Sequence, residues 1–488
     1  MRTIPEELKD FKSLEKTIFE IMCNAACEIM ERHLRVLDQQ ILAQRDTKEY
    51  RFIKFGTKTI KTVMGEITYA RRYYKKATGG YVYLLDEVLG LKDDCGLVSE
   101  NLMEHMVIEC SEKSFRKAAE SISSLTGQTI STMGIWNIFQ QFGERVEKQE
   151  DRLQELDKVG IRGQLGNVAC PVLFVEADDV WILMQGEKRR NRSDPIEVAH
   201  KKTGKKPMHV GTAYSGWRQT KDGRYVTVDK IAYASYGDIS EFITGFEVLK
   251  QQYFDIDGIQ RHIMNGDGAS WIRTAAENND SILQLDPFHR SRAIIKAVSD
   301  KKDRKAIFDA ISSKDVTKTL GIIYSLINKA KDESLIKRLG ELYGYFHNNK
   351  DSLLNWQERG LKLPAPPEGI VYRNLGVQES SNCNLITQRM KHRKASWSIN
   401  GANHMAKILC LRSTIGLDGM IGALSEPLPT HISEASLSAA KAPKYDGKGY
   451  DGAWIHADMP FAEVMMTSGR KAIQSLLSQR SISELRYT

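Results

Sequence analysis

Residues 262–272 read HIMNGDGASWI: a short apolar run, then Asp267 between two glycines, then a Trp-Ile pair. Asn-Gly and Asp-Gly favour hairpin turns, so a turn is the first reading. The downstream residues argue against it, because ASWIRTAAEN (269–278) spaces Trp271, Ile272, Ala275 and Ala276 along one helical face. A strand, an acid and then a helix hold a carboxylate at the carboxyl end of a strand, where open α/β sheets bind their ligands.

Working outward, CPVLFVEADDVWILM (170–184), PMHVGTAYSGW (207–217) and RYVTVDKIAYASYG (224–237) are successive runs rich in Val, Tyr and Ile, which predict an antiparallel meander. A helix over 239–254, the strand RHIMN, the helix after Asp267 and the strand SILQLD (281–286) come next. Three strands, a helix, then strands separated by helices is the order of the ribonuclease-H fold, an α/β class with a mixed sheet. That order brings first-strand Asp178 beside fourth-strand Asp267. Alternation puts Phe174, Glu176 and Asp178 on one face and Val175, Ala177 and Asp179 on the other, so only one of the paired aspartates points inward.

Length and composition set the bounds. The 488 residues suggest roughly three domains, and 41% apolar content supports real cores. MRTIPEELKD lacks the apolar core of a signal peptide, and no apolar run approaches a bilayer span, so a cytoplasmic protein without a membrane partner is expected. Seven scattered cysteines without a Cys-x-x-Cys pair indicate neither a zinc ribbon nor a disulfide framework. The net charge of +8 permits nucleic-acid binding, and its distribution says more. Residues 188–206 carry eight Lys and Arg against Asp194 and Glu197, and RMKHRKASW (389–397) sets five basic residues beside a tryptophan. The first fits a solvated loop. The second, placed on a helix, fits phosphate contacts and a stacked base.

At the N-terminus, Leu8, Phe11, Ile18, Met22, Ala25 and Ile29 predict one long amphipathic helix over about 6–42. TKTIKTVMGEITYARRYYKK (57–76) predicts a hairpin hinged at Met64-Gly65 with a basic, aromatic second strand. Residues 112–144 predict a helix with Phe115, Ala118, Ala119 and Ile122 inward, a break at Thr126-Gly127, and a second helix packing Met133, Trp136 and Phe139. A DNA-reading helix-turn-helix and an ordinary helical hairpin both fit that pattern.

The chain resembles the ISLre family of bacterial insertion-sequence transposases and, more distantly, the Mutator-like DDE transposases. The resemblance rests on TVMGEITYARRYY (62–74), YVYLLDEVLGL (81–91), VEADDVWI (175–182), NGDGASWI (265–272), LDPFH (285–289) and RMKHRKASWSINGANHMAKI (389–408), in that order. It implies a DDE-type enzyme that cleaves and joins DNA by two-metal phosphoryl transfer, with two Mg²⁺ or Mn²⁺ ions held by oxygen ligands. Its partners would be the transposon's terminal repeats and target DNA, with the protein a homo-oligomer on DNA. Asp178 and Asp267 match the first two catalytic acids, although Asp178-Asp179 stands where the family tends to show one aspartate followed by glycine, which leaves Asp179 and Glu176 open. Asp286 and His289 match a supporting Asp/Cys-x-x-His motif. The third acid, expected at the start of a helix after a helical insertion, falls on Glu379, with Cys383, Ile386 and Met390 on its face and Arg389, Lys391, Arg393, Lys394 and Trp397 further along as DNA contacts. The expected organisation is an N-terminal helix (1–50), a DNA-binding region (51–150), a catalytic domain (165–289 and 370–416), the insertion (290–369) and a C-terminal extension (417–488). The alternatives are a nuclease that cuts without joining and a DNA-binding protein without catalysis.

Overall fold

A computed structural model describes residues 10–91, 98–160, 166–185, 204–392 and 395–424, with side chains described as far as 416. The basic run expected over 188–206 lies mostly outside the described residues, as do Arg393, Lys394 and nearly all of the C-terminal extension. The described residues form two compact units, one of 10–106 and 119–131 and one of 107–118 and 132–424.

In the first unit, α1 (Phe11–Gln44) starts at Asp10, whose side chain accepts the Ser13 N–H and caps the helix. Only its last third is buried, through Leu34, Leu37, Asp38 and Ile41; Phe11, Ile18, Met22 and Ile29 are exposed. β1 (Tyr50–Thr62) and β2 (Gly65–Lys76) form the expected hairpin, with Thr62 opposite Gly65 across a two-residue turn. A short β3 (Tyr81–Val82) pairs with β2 only at Tyr74 and Lys75, which leaves the rest of that edge open. α1 covers it: the Thr68 N–H donates to Glu31 at 2.7 Å and the Arg72 N–H to Asp38 at 3.2 Å. Unpaired edge groups are thereby satisfied and the edge is blocked to other strands. Arg72 pairs with Asp38, while Lys58 and Arg71 both pair with buried Asp86 of α2 (Leu84–Val88), so much of the hairpin's positive charge is neutralised inside the unit.

α3 (Glu100–Glu112) and α4 (Phe115–Thr126) carry the chain between the units. Ala118, Ala119 and Ile122 are buried as their spacing predicts, and Gly127, at φ 68°, ends α4. α5 (Thr132–Lys158) departs from expectation: Met133 and Trp136 are exposed, and the buried stripe is Ile135, Ile138, Phe139, Phe142 and Val146. The helix runs 27 residues, and the longer stripe decides which face turns inward.

The second unit is built on five strands, β4 (Val172–Leu183), β5 (Lys205–Tyr214), β8 (Ile231–Ser235), β9 (Arg261–Gly266) and β10 (Ile282–Leu285), ordered β8-β5-β4-β9-β10. β5 runs antiparallel to its neighbours, while β4, β9 and β10 are mutually parallel. The expected meander is interrupted, because both later runs split: Gly216 and Asp229 have positive φ, and β6 (Gly216–Gln219) and β7 (Tyr225–Val228) leave as a separate ribbon. α6 (Ile239–Tyr253) and α7 (Ser270–Asn278) cover one face, where Phe242, Phe246, Trp271 and Ile272 meet Val175, Ala177 and Tyr233. A Cβ at Gly266 would stand 2.7 Å from Ile272, so glycine lets α7 pack closely on β9. α8 (Pro287–Ala297), α9 (Lys301–Ser312), α10 (Val316–Lys329) and α11 (Glu333–Asn348) share their own apolar cluster around Ile294, Ile307, Ile323, Leu339 and Phe346.

The stretch after this insertion differs most from expectation. α12 (Gln378–Asn382) passes into a π turn over Cys383–Thr387, then α13 (Gln388–Met390), where helix ends. No single helix runs from Glu379 to Trp397. The π turn rotates the face, so Ile386 and Met390 are buried while Cys383 is exposed. Trp397 instead bridges to Met184 beyond the end of β4, and α14 (Ile399–Leu424) comes after it, bent at Gly416.

Candidate functional site

Parallel pairing sets Ala177 opposite Gly266, so the next residues stand level: Asp178 in the middle of β4 and Asp267 just past the carboxyl end of β9. Strand spacing of about 4.8 Å brings them close despite a sequence separation of 89 residues. Asp267 keeps one feature of the turn reading, since its side chain accepts the Ala269 N–H at 2.9 Å. Its own carbonyl accepts the Tyr345 hydroxyl of α11 at 2.6 Å, which ties the insertion to this loop. Burial pushes the Asp267 carboxyl above its usual range, and the charges of Asp178 and Asp179 push the same way.

Asp178, His289 and Glu379 offer ligand atoms that all lie within 4.8 Å of one another, and Asp267 is outside that group. Opposed ligands at 2.1–2.4 Å from a divalent ion stand about 4.2–4.8 Å apart, so the spacing and the carboxylate donors fit a hard cation. His289 Nε2 is 3.8 Å from both Asp178 and Asp286, and the Asp178 carboxylate holds the imidazole above its ordinary range against the effect of burial. Asp286 caps α8 and accepts from Asn265 at 3.3 Å, so it fixes the start of the helix that carries His289.

The paired aspartates are separated by face. Asp179 turns away and meets His209 Nδ1 at 2.6 Å, in register across β5. Asp178 accepts from Asn382 Nδ2 at 2.8 Å, which links it to α12. Glu176, on the same face as Asp178, is fully buried and is no ligand. Its carboxylate accepts from the Tyr214 hydroxyl, from Asn265 Nδ2 at 2.9 Å, and from the backbone N–H groups of Gly376, Val377 and Gln378 at 3.0–3.2 Å. Those groups open the helix that bears Glu379, so Glu176 anchors that helix to the central strand. Gln378 adds a second anchor, accepting from Thr212 and donating to Val210 O and to Asn382.

Two of the expected DNA contacts, Arg389 and Trp397, are engaged inside the fold. Arg389 donates to Cys110 O at 2.8 Å and lies over the rings of Phe115 and Trp397. Trp397 is 7% exposed, with its indole N–H donating to Met390 O, so it is a core residue and no stacking platform. Lys391 is exposed, and Arg393 and Lys394 lie outside the described residues.

A model of the uncharacterised protein family UPF0236 matches residues 5–421. The chain belongs to that family. Among relatives, a UPF0236 protein of Caldanaerobacter subterraneus subsp. tengcongensis is 27% identical over 391 residues, covering 78% of this chain and 73% of its own length. A UPF0236 protein encoded in the vanSb 3′ region of Streptococcus gallolyticus is 23% identical over 445 residues, 89% of each chain. The family match spans every residue of the acidic site. No described helix of this UPF0236 chain is long and apolar enough to cross a membrane.

Sequence reasoning named Asp178, His289 and Glu379, which the structure brings together, and Asp267 beside them. It left Glu176 open and missed Asn382, Gln378 and Tyr345. Glu176 had a usable signal, its position two residues before Asp178 on one strand face. Asn382 and Tyr345 act through tertiary contacts that leave no pattern.

Proposed function

We propose that this chain is a DNA transposase with a ribonuclease-H-like catalytic domain that cleaves and joins DNA strands. The observation that carries the reading is the meeting of Asp178, His289 and Glu379, with Asp267 level with Asp178 on the neighbouring chain segment, on a sheet ordered third-second-first-fourth-fifth, its second strand antiparallel. Asp178 and Glu379, with Asp267 close by, would hold Mg²⁺ or Mn²⁺; when bound, such ions supply the Lewis acidity that phosphodiester chemistry requires.

The chain's own residues do the positioning. Asn382 orients Asp178, Glu176 holds the start of α12 so that Glu379 faces it, and Tyr345 fixes the Asp267 loop. In the reaction, water forms a new P–O bond at the element's end and the 3′ oxygen leaves as a hydroxyl. That hydroxyl then attacks a target phosphodiester, forming one P–O bond and breaking another. The name of the Caldanaerobacter relative joins eleven locus designations. A gene present in many copies is what a self-moving element leaves behind, which supports the reading.

The test is incubation of the purified chain with Mg²⁺ and DNA carrying the ends of its own element. Free 3′-hydroxyl ends and joined products are expected. Cleavage without joining would make the protein a nuclease, and binding alone would make it a DNA-binding protein.

A further inference from the structure

The segment that carries Glu379 also walls a cavity of about 560 Å³, bounded by the end of α3, the π turn and α14. Lys230, Arg389 and Arg412 present three cations to it, and the amide side chains of Asn384 and Gln388 line the rim. Glu112, the one carboxylate in the lining, is already engaged by Arg412, which also donates to Ser111 at 2.7 Å. Lys230 stands differently. Its ammonium is partly buried and donates to the neutral Ser381 hydroxyl at 2.7 Å, and among the described residues no carboxylate forms an ion pair with it. Burial holds that ammonium below the ordinary lysine range. A partly buried cation with no direct ion-pair partner is disfavoured, and an anion in the adjoining cavity offsets that cost.

We propose that this cavity is a phosphate-recognition site, filled by a nucleotide unit whose phosphate sits on Lys230 and Arg412. Phosphate matches the donors: a forked guanidinium and an ammonium make charge-assisted hydrogen bonds to its oxygens. The volume exceeds what a bare phosphate fills and accommodates an attached sugar and base. The source is either a free nucleotide or a phosphate of a DNA strand, and the second rests on the transposase reading. Lys230 also reports to the acidic site, because Ser381 is two residues from Glu379 and adjacent to Asn382, the partner of Asp178. An occupant that draws Lys230 toward the cavity therefore acts on the helix that carries the third acid.

The experiment titrates the full-length chain by calorimetry with pyrophosphate, dTMP and the dinucleotide pdTpdT, in EDTA so that no divalent ion bridges a phosphate to the acidic site. The variants are Lys230→Gln and Ser413→Glu; the second places a carboxylate at an exposed position of the cavity wall, and equal melting temperatures are expected to show that the fold is kept. Wild type is expected to bind pdTpdT about tenfold tighter than either variant, the effect of one charge–phosphate contact. Binding of dTMP as tight as that of pdTpdT assigns the site to free nucleotides, and preference for pdTpdT assigns it to a strand. Equal binding by wild type and both variants, or no binding of any probe by wild type, overturns the proposal. Asp178→Asn separates this site from the catalytic reading, because it is expected to keep pdTpdT binding in EDTA. Binding by a chain that never cleaves DNA would remove the transposase reading and leave the phosphate site standing.

Discussion

Glu176→Gln removes a buried charge and turns one of two acceptor oxygens into a donor. Five donors now converge on the carboxylate: the Tyr214 hydroxyl, Asn265 Nδ2 and three backbone N–H groups at the start of α12. Whichever way the new amide turns, at least two of them face an NH₂ group. Each buried donor left unmet costs about 1–3 kcal/mol, and relief of the buried charge offsets part, so a net loss of roughly 2–4 kcal/mol is expected. At about 2–4 °C per kcal/mol the melting temperature falls by roughly 4–16 °C. Amide hydrogen exchange separates anchoring from general destabilisation: protection is expected to drop selectively at Gly376–Asn382 and to persist in β4 and β9. Unchanged exchange at Gly376, Val377 and Gln378 would refute the anchoring role.

Asp267→Asn is expected to raise the melting temperature of the metal-free protein while abolishing cleavage, because the side chain keeps its acceptor for Ala269 and loses a charge that burial disfavours. The folded-state pKa is raised, so the wild type is least penalised below the unfolded value of about 3.8 and loses that advantage as pH rises through the folded value; its deficit against the variant therefore grows across that window, and a deficit independent of pH would contradict the assignment. Trp397→Ala is expected to cost about 3–5 kcal/mol by thermal unfolding, with DNA affinity changing only as far as folding does. Glu147, held below its ordinary range by the His404 hydrogen bond, ties α5 to α14; Glu147→Gln is expected to lose about 0.5–1 kcal/mol at pH 7, with the gap closing as pH falls below about 4.5.

The sheet was legible because its strands are short, β-rich runs and because Trp271, Ile272, Ala275 and Ala276 repeat with helical period directly after Asp267. All four are buried. The splits at Gly216 and Asp229 were less legible, since a strand pattern looks the same on either side of a positive-φ residue. The face of α5 was misread from a short window, and Met133 and Trp136 show that burial follows the whole helix. The segment from Glu379 to Trp397 misled for a different reason. A π turn adds one residue per turn without a compositional mark, and each side chain beyond it rotates away from the face that periodicity assigns. The acidic residues were legible as types and positions; what holds them, Glu176, Asn382 and Tyr345, belongs to contacts between elements far apart in sequence.

The most direct test of the central claim is single-turnover cleavage of end-labelled element DNA in Mg²⁺ by wild type, Asp178→Asn, Asp179→Asn and Glu379→Gln at matched folded concentration. Cleavage is expected to disappear in Asp178→Asn and Glu379→Gln and to persist in Asp179→Asn, whose partner is His209 on the opposite face. Cleavage by Asp178→Asn and Glu379→Gln at the wild-type rate, or its loss in Asp179→Asn alone, would contradict the site.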